Sequence, residues 1–349
     1  MATTPYRVIG TRPVRHDGAD KVTGKAVYTA DFKLPGLQAG FILRSPHPHA
    51  KILSIDTSAA EATAGVSAVV TGADFPNVKN KIAHLGEGSV NLAHLSANCM
   101  AKDKVLYKGH AVAAVSATNA HIAEEAAAKI IVEYEMLPSV TDIIEAMATD
   151  APLLHADLFT DDLGLKADTA SNVAVHLHFE KGDVATGFEQ ADVVVEAEFK
   201  TATVHQGYIE PHAIVADYNE DGRVRLWTST QGSFTCRQQT AEILQIGVGD
   251  VLVTPCEIGG GFGGKIAVYL EPTAAILSKK SGRPISIRMP RTDVFEATGP
   301  TPASFMRVKV GAKNDGTLLA GEAWIAYDAG AFPGGVIGPG CMCVFSCYD

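Results

Sequence analysis

The stretch Thr254-Pro-Cys-Glu-Ile-Gly-Gly-Gly-Phe-Gly-Gly-Lys265 decides how the rest of the chain is interpreted. Five glycines lie between Gly259 and Gly264, and only Phe262 interrupts them. Glycine loses more backbone entropy on folding than other residues and has no side chain to pack. A cluster this dense therefore indicates a backbone that approaches something closely, although a tight structural turn would also need such residues.

The sequence on either side of this glycine loop predicts a strand before it and a helix after it. Residues 251–254 are rich in β-branched side chains, and residues 272–281 have a helical pattern that ends at Gly282. A strand, a glycine loop and a helix start together present free backbone N–H groups, which suit an anionic ligand such as a phosphate.

Length and composition place the chain among globular proteins of about two domains. It has 349 residues, of which 46% are hydrophobic and 19% charged, and its formal net charge is −10. The negative charge and the lack of a basic cluster disfavour nucleic acid and an anionic membrane surface as main partners. No apolar run is long enough to span a bilayer, and residues 1–7 lack a signal-peptide core, so we expect a cytoplasmic protein.

The six cysteines predict thiols rather than a disulfide framework. No CxxC pair occurs, and a cytosolic chain of this size usually keeps its cysteines reduced. The pattern Cys341-x-Cys343-x3-Cys347 matches neither common zinc nor iron–sulfur spacing, so we expect buried small hydrophobes there. His47 and His49 sit among alternating prolines, which predicts solvated turn histidines rather than a metal pair.

Hydrophobic periodicity predicts an α+β or mixed α/β fold in four segments. Residues 1–20 form an arm, 21–136 a mixed α/β domain, 137–171 a linker and 172–349 a second domain. From residue 223 a β-α-β-α-β succession follows, with strands near 224–229, 251–254 and 285–289 and helices near 235–245 and 272–281. Helices should then cover a sheet whose loops gather at one end, where ligands usually bind.

The loop Ser229–Phe234 occupies a place equivalent to the glycine loop in this succession. Gln231 is its one uncharged amide, and it can both donate and accept hydrogen bonds. It either reaches an oxygen atom bound over the glycine loop or satisfies loop backbone groups, and the sequence leaves both interpretations open.

A dinucleotide site is one competing interpretation of the glycine loop. Gly259-x-Gly261-x-x-Gly264 formally matches the dinucleotide fingerprint and lies between a predicted strand and a predicted helix. An acidic residue should follow about twenty positions on, but the first candidate, Asp293, comes about thirty positions later. The fingerprint alone is weak evidence for an NAD-dependent dehydrogenase.

Several further stretches resemble the molybdopterin-binding subunit of the xanthine dehydrogenase/aldehyde oxidase family, the molybdenum hydroxylases. Residues 10–31 resemble the start of the family subunit. Residues 43–52 and 107–115 resemble its hammerhead domain. Four more resemble its first cofactor domain: residues 209–212, 229–231, 259–265 and 327–332. The resemblance implies a hammerhead-like domain over 21–136 and an incomplete first molybdenum-cofactor-binding domain over 172–349.

The resemblance also implies roles for individual residues. Gln231 matches the glutamine that hydrogen-bonds an oxygen ligand of molybdenum, and it is expected to act in catalysis together with Phe262. The loop that approaches the metal centre and the pterin through its backbone corresponds to Gly260, Gly261, Phe262, Gly263 and Gly264. The pterin holds the molybdenum, so no direct protein ligand to the metal is expected. The pterin is either the plain form or the cytosine dinucleotide form. The protein orients this cofactor, and the cofactor carries out the chemistry.

By the same resemblance, the activity is hydroxylation of an electron-poor carbon of an aromatic N-heterocycle or an aldehyde, or reduction of an aryl-CoA thioester. Electrons pass to a small subunit with [2Fe-2S] clusters and a medium subunit with FAD. The sequence departs from the family at Ile266, where members specific for purines carry a glutamate. It is also about half as long as family subunits, and neither Glu210 nor Glu257 matches the family's catalytic base.

We therefore expect a split or truncated subunit. A second molybdopterin-binding half subunit would supply the base and complete the pocket for a small-molecule substrate, and the apolar tail Val336–Tyr348 would pack against it. Two alternatives remain at this point, the NAD-dependent dehydrogenase and an inactive scaffold paralogue that keeps the fold without the metal.

Overall fold

The fold is known from a computed structural model that describes residues 6–333 except 86–87 and 163, together with 340, 343 and 344. The apolar tail and two of the three C-terminal cysteines thus lie largely outside the described residues. The helices are α1 Gly18–Thr23, α2 Ser58–Glu61, α3 Leu92–Cys99, α4 Ala120–Ala127, α5 Ile143–Ala146, α6 Val184–Glu189, α7 Ser233–Leu244, α8 Glu271–Ser281 and α9 Arg291–Ala297.

Strands from both ends of the chain contribute to the sheets. In the N-terminal part they are β1 Gln38–Arg44, β2 Ala50–Asp56, β3 Val66–Thr71, β4 Ile82–Leu85, β5 Gly88–Asn91, β6 Lys104–Val105, β7 Ala111–Ala117 and β8 Ile131–Met136. They continue as β9 Phe159–Asp162, β10 Leu165–Ala170, β11 Val175–His176, β12 Val193–Thr201 and β13 Ala213–Tyr218. The last are β14 Val224–Thr228, β15 Val251–Pro255, β16 Ile285–Arg288, β17 Ser304–Ala312 and β18 Leu318–Tyr327.

A seven-stranded sheet forms the centre of the molecule, in the order β15-β14-β13-β16-β1-β7-β3. β1 lies parallel to β16, with Gln38 opposite Ile285, and antiparallel to β7. β14 and β15 are parallel to each other, and β13 runs antiparallel to both its neighbours. β7 is buried along its whole length, as an Ala- and Val-rich strand at the centre of a covered sheet should be.

This sheet joins the two predicted domains. β1, β3 and β7 come from the segment 21–136, whereas β13 to β16 come from the segment 172–349. The mixed α/β class predicted from the sequence is confirmed, and the β-α-β-α-β succession of residues 224–289 is found with its ends shifted by at most two residues. The division into an arm, two domains and a linker stays a prediction.

Two segments have more structure than the sequence predicted. Residues 76–100 lack a clear hydrophobic period, which predicts a surface segment, yet they contain the hairpin β4–β5 and helix α3, which Asn91 caps with its side chain. Leu92, Leu95 and Cys99 of this helix are buried, at a spacing that places them on one helical face. In the linker 137–171, residues 142–147 have a short helical pattern, and the structure has α5 there and in addition the strands β9 and β10.

The prediction that both turn histidines are solvated was wrong for His49. Its side chain is buried, and its Nδ1 lies 2.6 Å from the carbonyl oxygen of Pro138. The backbone N–H of Leu137 donates to the carbonyl of His49, so the segment after β8 folds back over this turn. His47 packs edge-on against Tyr134. No group of side chains suited to hold a metal ion occurs in the part of the chain that the structure describes.

The second half of the chain contains a separate antiparallel sheet in the order β12-β17-β18. Helix α6 packs on one of its faces, where Phe188 lies against Gly311. Among the described residues, no helix is both long and apolar enough to cross a membrane.

Candidate functional site

The two loops that the sequence singled out meet at the end of strands β14 and β15. Gln231 follows β14, and its backbone N–H donates to the carbonyl oxygen of Lys265 at 2.8 Å. Its side-chain Oε1 accepts two hydrogen bonds from the glycine loop, from the N–H of Gly263 at 3.0 Å and of Lys265 at 3.1 Å. These two donors fix which end of the amide is oxygen.

The orientation of Gln231 leaves its Nε2 as the group available to a ligand. The residue is exposed, and Nε2 has no acceptor among the residues described here. The two interpretations of Gln231 are thus compatible in this geometry, because the oxygen satisfies loop backbone while the amide nitrogen can donate outward.

The glycine loop is shaped by residues that require positive φ angles or lack a side chain. Gly260 has φ of +98°, Phe262 of +49° and Gly263 of +86°. A Cβ atom added to Gly261 would lie 2.5 Å from Oε1 of Gln231, so only glycine fits there beside the amide. In the described part of the chain, the N–H groups of Gly260, Gly261 and Phe262 have no acceptor, so three consecutive donors are left without a partner.

A buried ion pair holds the loop from below. The ammonium of Lys265 has no exposed surface and lies 2.8 Å from Oε2 of Glu210. The same Oε2 accepts the backbone N–H of Gly259 at 2.7 Å, so one carboxylate oxygen fixes both ends of the loop. Oε1 of Glu210 is buried without a partner among the described atoms. Burial lowers the pKa of Lys265, and its bond to Glu210 opposes this shift.

An aromatic and histidine network lies under the ion pair. The ammonium of Lys265 lies 4.9 Å from the ring centroid of Tyr208, whose hydroxyl contacts Nε2 of His212 at 2.8 Å. The Tyr208 hydroxyl also lies 3.2 Å from Oγ1 of Thr298. Burial, and next the nearby charge of Lys265, lower the pKa of His212 to about 3, so this ring is neutral at physiological pH.

Helix α8 does not offer its N-terminus to a ligand, contrary to our expectation from the sequence. The Glu271 carboxylate accepts the N–H groups of Tyr269 and Leu270 through Oε2, and its Oε1 accepts the hydroxyl of Thr228. Six residues also separate Gly264 from the start of the helix. A dinucleotide fingerprint needs the helix to open directly at the loop, so the geometry gives the NAD-dependent alternative no support.

The structure brings together all the residues predicted for the site: Gln231, Gly260, Gly261, Phe262, Gly263 and Gly264. Glu257 lies apart, in an ion pair with Lys21 at 2.8 Å. Sequence reasoning missed the pairing of Glu210 with Lys265, although both lie in motifs that had been noted, Ile209-Glu-Pro-His212 and Gly-Gly-Lys265.

Comparison with known families agrees with this geometry. A model described as "Molybdopterin cofactor-binding domain" matches residues 165–349. Another, described as "Aldehyde oxidase and xanthine dehydrogenase, a/b hammerhead domain", matches residues 23–138. This chain belongs to the xanthine dehydrogenase/aldehyde oxidase family.

Two curated relatives illustrate the likeness. The chain is 34% identical to a probable xanthine dehydrogenase component of Bacillus subtilis over 91% of its own length and 40% of the relative. It is 30% identical to "Nicotinate dehydrogenase large molybdopterin subunit" of Eubacterium barkeri over 94% of its own length and 72% of that protein.

Solved structures of the family have the same fold. Quinoline 2-oxidoreductase from Pseudomonas putida 86 superposes with a TM-score of 0.78 and 29% identity, over 93% of this chain and 40% of that one. CO dehydrogenase from Oligotropha carboxidovorans superposes with a TM-score of 0.76 and 30% identity, over 92% and 40%. This chain thus spans about 40% of the length of each of these two proteins and of the Bacillus relative.

Proposed function

We propose that this chain is the N-terminal part of the molybdopterin-binding subunit of a molybdenum hydroxylase, and that the glycine loop with Gln231 forms one wall of its active site. The N–H groups of Gly260, Gly261 and Phe262, which have no acceptor among the described residues, carry the proposal together with the amide nitrogen of Gln231. Neutral hydrogen-bond donors in this arrangement suit the oxygen atoms and dithiolene of a molybdenum–pterin group.

The residues present fit such a group in their chemistry. A side chain at position 261 would collide with Gln231, so glycine there keeps the loop backbone and the amide group close together. Phe262 is 73% exposed and points away from the core of this chain, where it can border the pocket. In its bound form the cofactor supplies the oxidation–reduction chemistry, while Gln231 donates a hydrogen bond that orients an oxygen atom.

We further propose that the substrate is an aromatic N-heterocycle or an aldehyde with an electron-poor carbon. The resemblance also implies a second reaction, the reduction of an aryl-CoA thioester. Two similar proteins support the heterocycle class, because they are named for nicotinate and quinoline: a nicotinate dehydrogenase and a quinoline 2-oxidoreductase. Ile266 stands where purine-specific members have a glutamate, so purines lack their polar anchor here.

The remaining walls of the pocket belong to polypeptide beyond these 349 residues. Three large apolar side chains near the loop are mostly exposed, Ile209 at 88%, Phe234 at 78% and Phe262 at 73%. Exposed apolar side chains gathered around a site indicate a covering partner. We assign this role to a second molybdopterin-binding half subunit that provides the catalytic base. A [2Fe-2S] small subunit and an FAD medium subunit accept the electrons.

The test uses the complex isolated from the native host through a tag on this chain. We expect close to one molybdenum per chain in the complex. Gln231→Ala should lower turnover about 100-fold, as the loss of one oriented donor does in other active sites, without lowering the amount of complex. Gln238→Ala, an exposed glutamine on α7, serves as the control and should leave turnover unchanged. A complex free of molybdenum, or a Gln231→Ala complex with full turnover, would contradict the proposal.

A further inference from the structure

The sheet β12-β17-β18 has one face that is apolar except at one end, where Thr201, Ser304 and Tyr327 lie in register. In β12, Val195, Ala197 and Phe199 lie opposite Val310, Val308 and Met306 of β17. In β18, Ala323 and Ile325 lie opposite Val308 and Met306. Alternate residues of a strand point to opposite faces, so these side chains share one surface, which we call the apolar sheet face. Its members are Val193, Val195, Ala197, Phe199, Met306, Val308, Val310, Ala323 and Ile325.

The opposite face of this sheet carries the charged residues. Glu198 forms an ion pair with Arg307 at 2.7 Å, and the ammonium of Lys309 lies 4.4 Å from the ring centroid of Phe188 in α6. Glu196 and Glu322 flank Lys309 in the same register. Helix α6 covers the part of this face near Gly311 and Ala320, while Glu198, Arg307 and Glu322 stay exposed.

The apolar sheet face is not covered by any layer of the described chain that buries its residues. None of the nine residues of the apolar sheet face is buried, whereas Phe305, Gly311 and Ala326 on the charged face are. Val195 is 60% exposed and Phe199 52% exposed. Antiparallel sheets ordinarily place their apolar face against a second layer and their polar face toward water. The uncovered layer of this sheet therefore lies on its apolar side.

The size of the face indicates what kind of partner covers it. Three strands about 4.8 Å apart and about nine residues long at 3.3 Å each give roughly 400 Å². That is the size of the largest apolar patch on a typical monomer, which is often functional, and about half of what one side of a stable protein interface buries. A second copy of this chain docked through this face alone would be held weakly, so a partner that also makes contacts elsewhere fits better.

We propose that the apolar sheet face packs against an apolar layer contributed by the polypeptide that completes the family's molybdopterin-binding subunit. This inference rests on the proposed function, since it assigns that partner a second contact besides the cofactor pocket. Two structures that share this fold are each about two and a half times as long as the part they share with this chain, which provides the missing polypeptide. The interface is anchored by shape and apolar contact, because the face itself carries no charge.

Neighbouring valines of β12 offer a matched pair of probes. Val195 belongs to the apolar sheet face, while Val194 points to the charged face and is 45% exposed. V195C and V194C are each placed in the complex from the native host, and maleimide labelling of each site is followed by peptide mass spectrometry. We expect labelling at V195C to be at least about tenfold slower than at V194C. Similar rates at the two sites would overturn the inference.

A second pair of variants tests whether the face is needed for assembly. V195E should prevent recovery of the complex and V194E should not, because a buried carboxylate without a partner opposes association. Assembly of both would overturn the inference, and so would a disulfide between two copies at V195C, which would identify a second copy as the occupant. A complex without molybdenum in which V195C is protected would refute the proposed function alone. Molybdenum in a complex with a reactive V195C would refute only the present inference.

Discussion

At the scale of single residues, the glycine loop depends on the pairing of Lys265 with Glu210. The ammonium is fully buried, and its carboxylate partner also holds the N–H of Gly259. Removing one member of a buried pair costs about 3–5 kcal/mol, because the other charge is left in a medium of low dielectric constant. The loop that presents its N–H groups to a ligand is therefore fixed by charges that never touch that ligand.

Glu210→Gln should destabilise the protein in a pH-dependent way. Burial already lowers the pKa of Lys265, and loss of the carboxylate lowers it further. The unfolded lysine keeps its proton up to about pH 10.4, so the variant's deficit is largest at neutral pH and shrinks as the pH rises toward 10. Urea unfolding at pH 7 and pH 9.5 measures this difference in the free energy of unfolding.

Glu198→Gln, which breaks an exposed pair with Arg307, is the control and should change stability little at either pH. A deficit for Glu210→Gln that is the same at both pH values would contradict the reasoning.

His212 should make the protein sensitive to acid. Its folded pKa of about 3 lies below the unfolded value near 6.5, so the unfolded state binds more protons between these values. Stability is then fully present above about pH 6.5 and falls as the pH drops, by roughly 2 kcal/mol at pH 5. His212→Gln, which can still bond the Tyr208 hydroxyl, should remove that part of the acid dependence. His121→Gln, on the exposed side of α4, is the control. An unchanged slope between pH 7 and 5 in His212→Gln would disprove the assignment.

Sequence reasoning identified the site residues better than it identified their supports. Gln231 and the glycines lie in loops whose composition is unusual, and the family resemblance added their roles. The pairing of Glu210 with Lys265 joins positions 55 apart in the chain. No local pattern shows that a lysine will be buried beside a carboxylate, because that depends on which strands become neighbours.

At the scale of elements, the glycine loop should tolerate added methyl groups very unevenly. In Gly261→Ala the new Cβ would displace the end of the Gln231 side chain, which then loses its bonds to the N–H groups of Gly263 and Lys265. We expect a loss of about 2 kcal/mol in unfolding free energy and poor retention of molybdenum in the complex. Gly249→Ala meets no atom within 4 Å and should leave both quantities unchanged. Equal molybdenum content in the two variants would rule out close packing at Gly261.

The elements predicted best were those with a strong local period. Strands β14 and β15 and helices α7 and α8 follow clear apolar patterns and turn signals, and they were found within one or two residues. Helix α3 was missed because small and polar residues surround Leu92 and Leu95, so that three buried apolar positions in eight residues give little periodic signal. The closed N-terminus of α8 was also missed, since Glu271 near a helix start ordinarily indicates only favourable dipole interaction.

At the scale of the whole molecule, the central sheet should unfold as one unit. Gly40 in β1 lies against β16, and a Cβ added there would be 2.7 Å from Cγ1 of the buried Ile287. Gly40→Ala should cost about 1–3 kcal/mol through overpacking. Hydrogen exchange should show β7 and β14 losing protection together, although they come from different predicted domains. Gly18→Ala, whose methyl would have its nearest neighbour at 3.4 Å, is the control. Loss of protection confined to β7 would show two independent domains.

The mixed architecture was predictable, but the joining of two chain segments in one sheet was not. Periodicity identifies a strand without identifying its neighbour, and sequential strands usually pair with each other. β1 instead pairs with β16, which places Gln38 beside Ile285. Only the folded structure shows that long-range choice.

That pairing has a consequence for synthesis on the ribosome. The neighbour of β1 emerges only after about 240 further residues have been translated, which at 5–20 residues per second takes roughly 12 to 50 seconds. During this interval one side of a nascent strand stays without its hydrogen-bonding companion, and such edges favour association with other chains. Cells that make this protein should therefore need chaperones to shield the early product, and additional chaperone should raise the soluble yield.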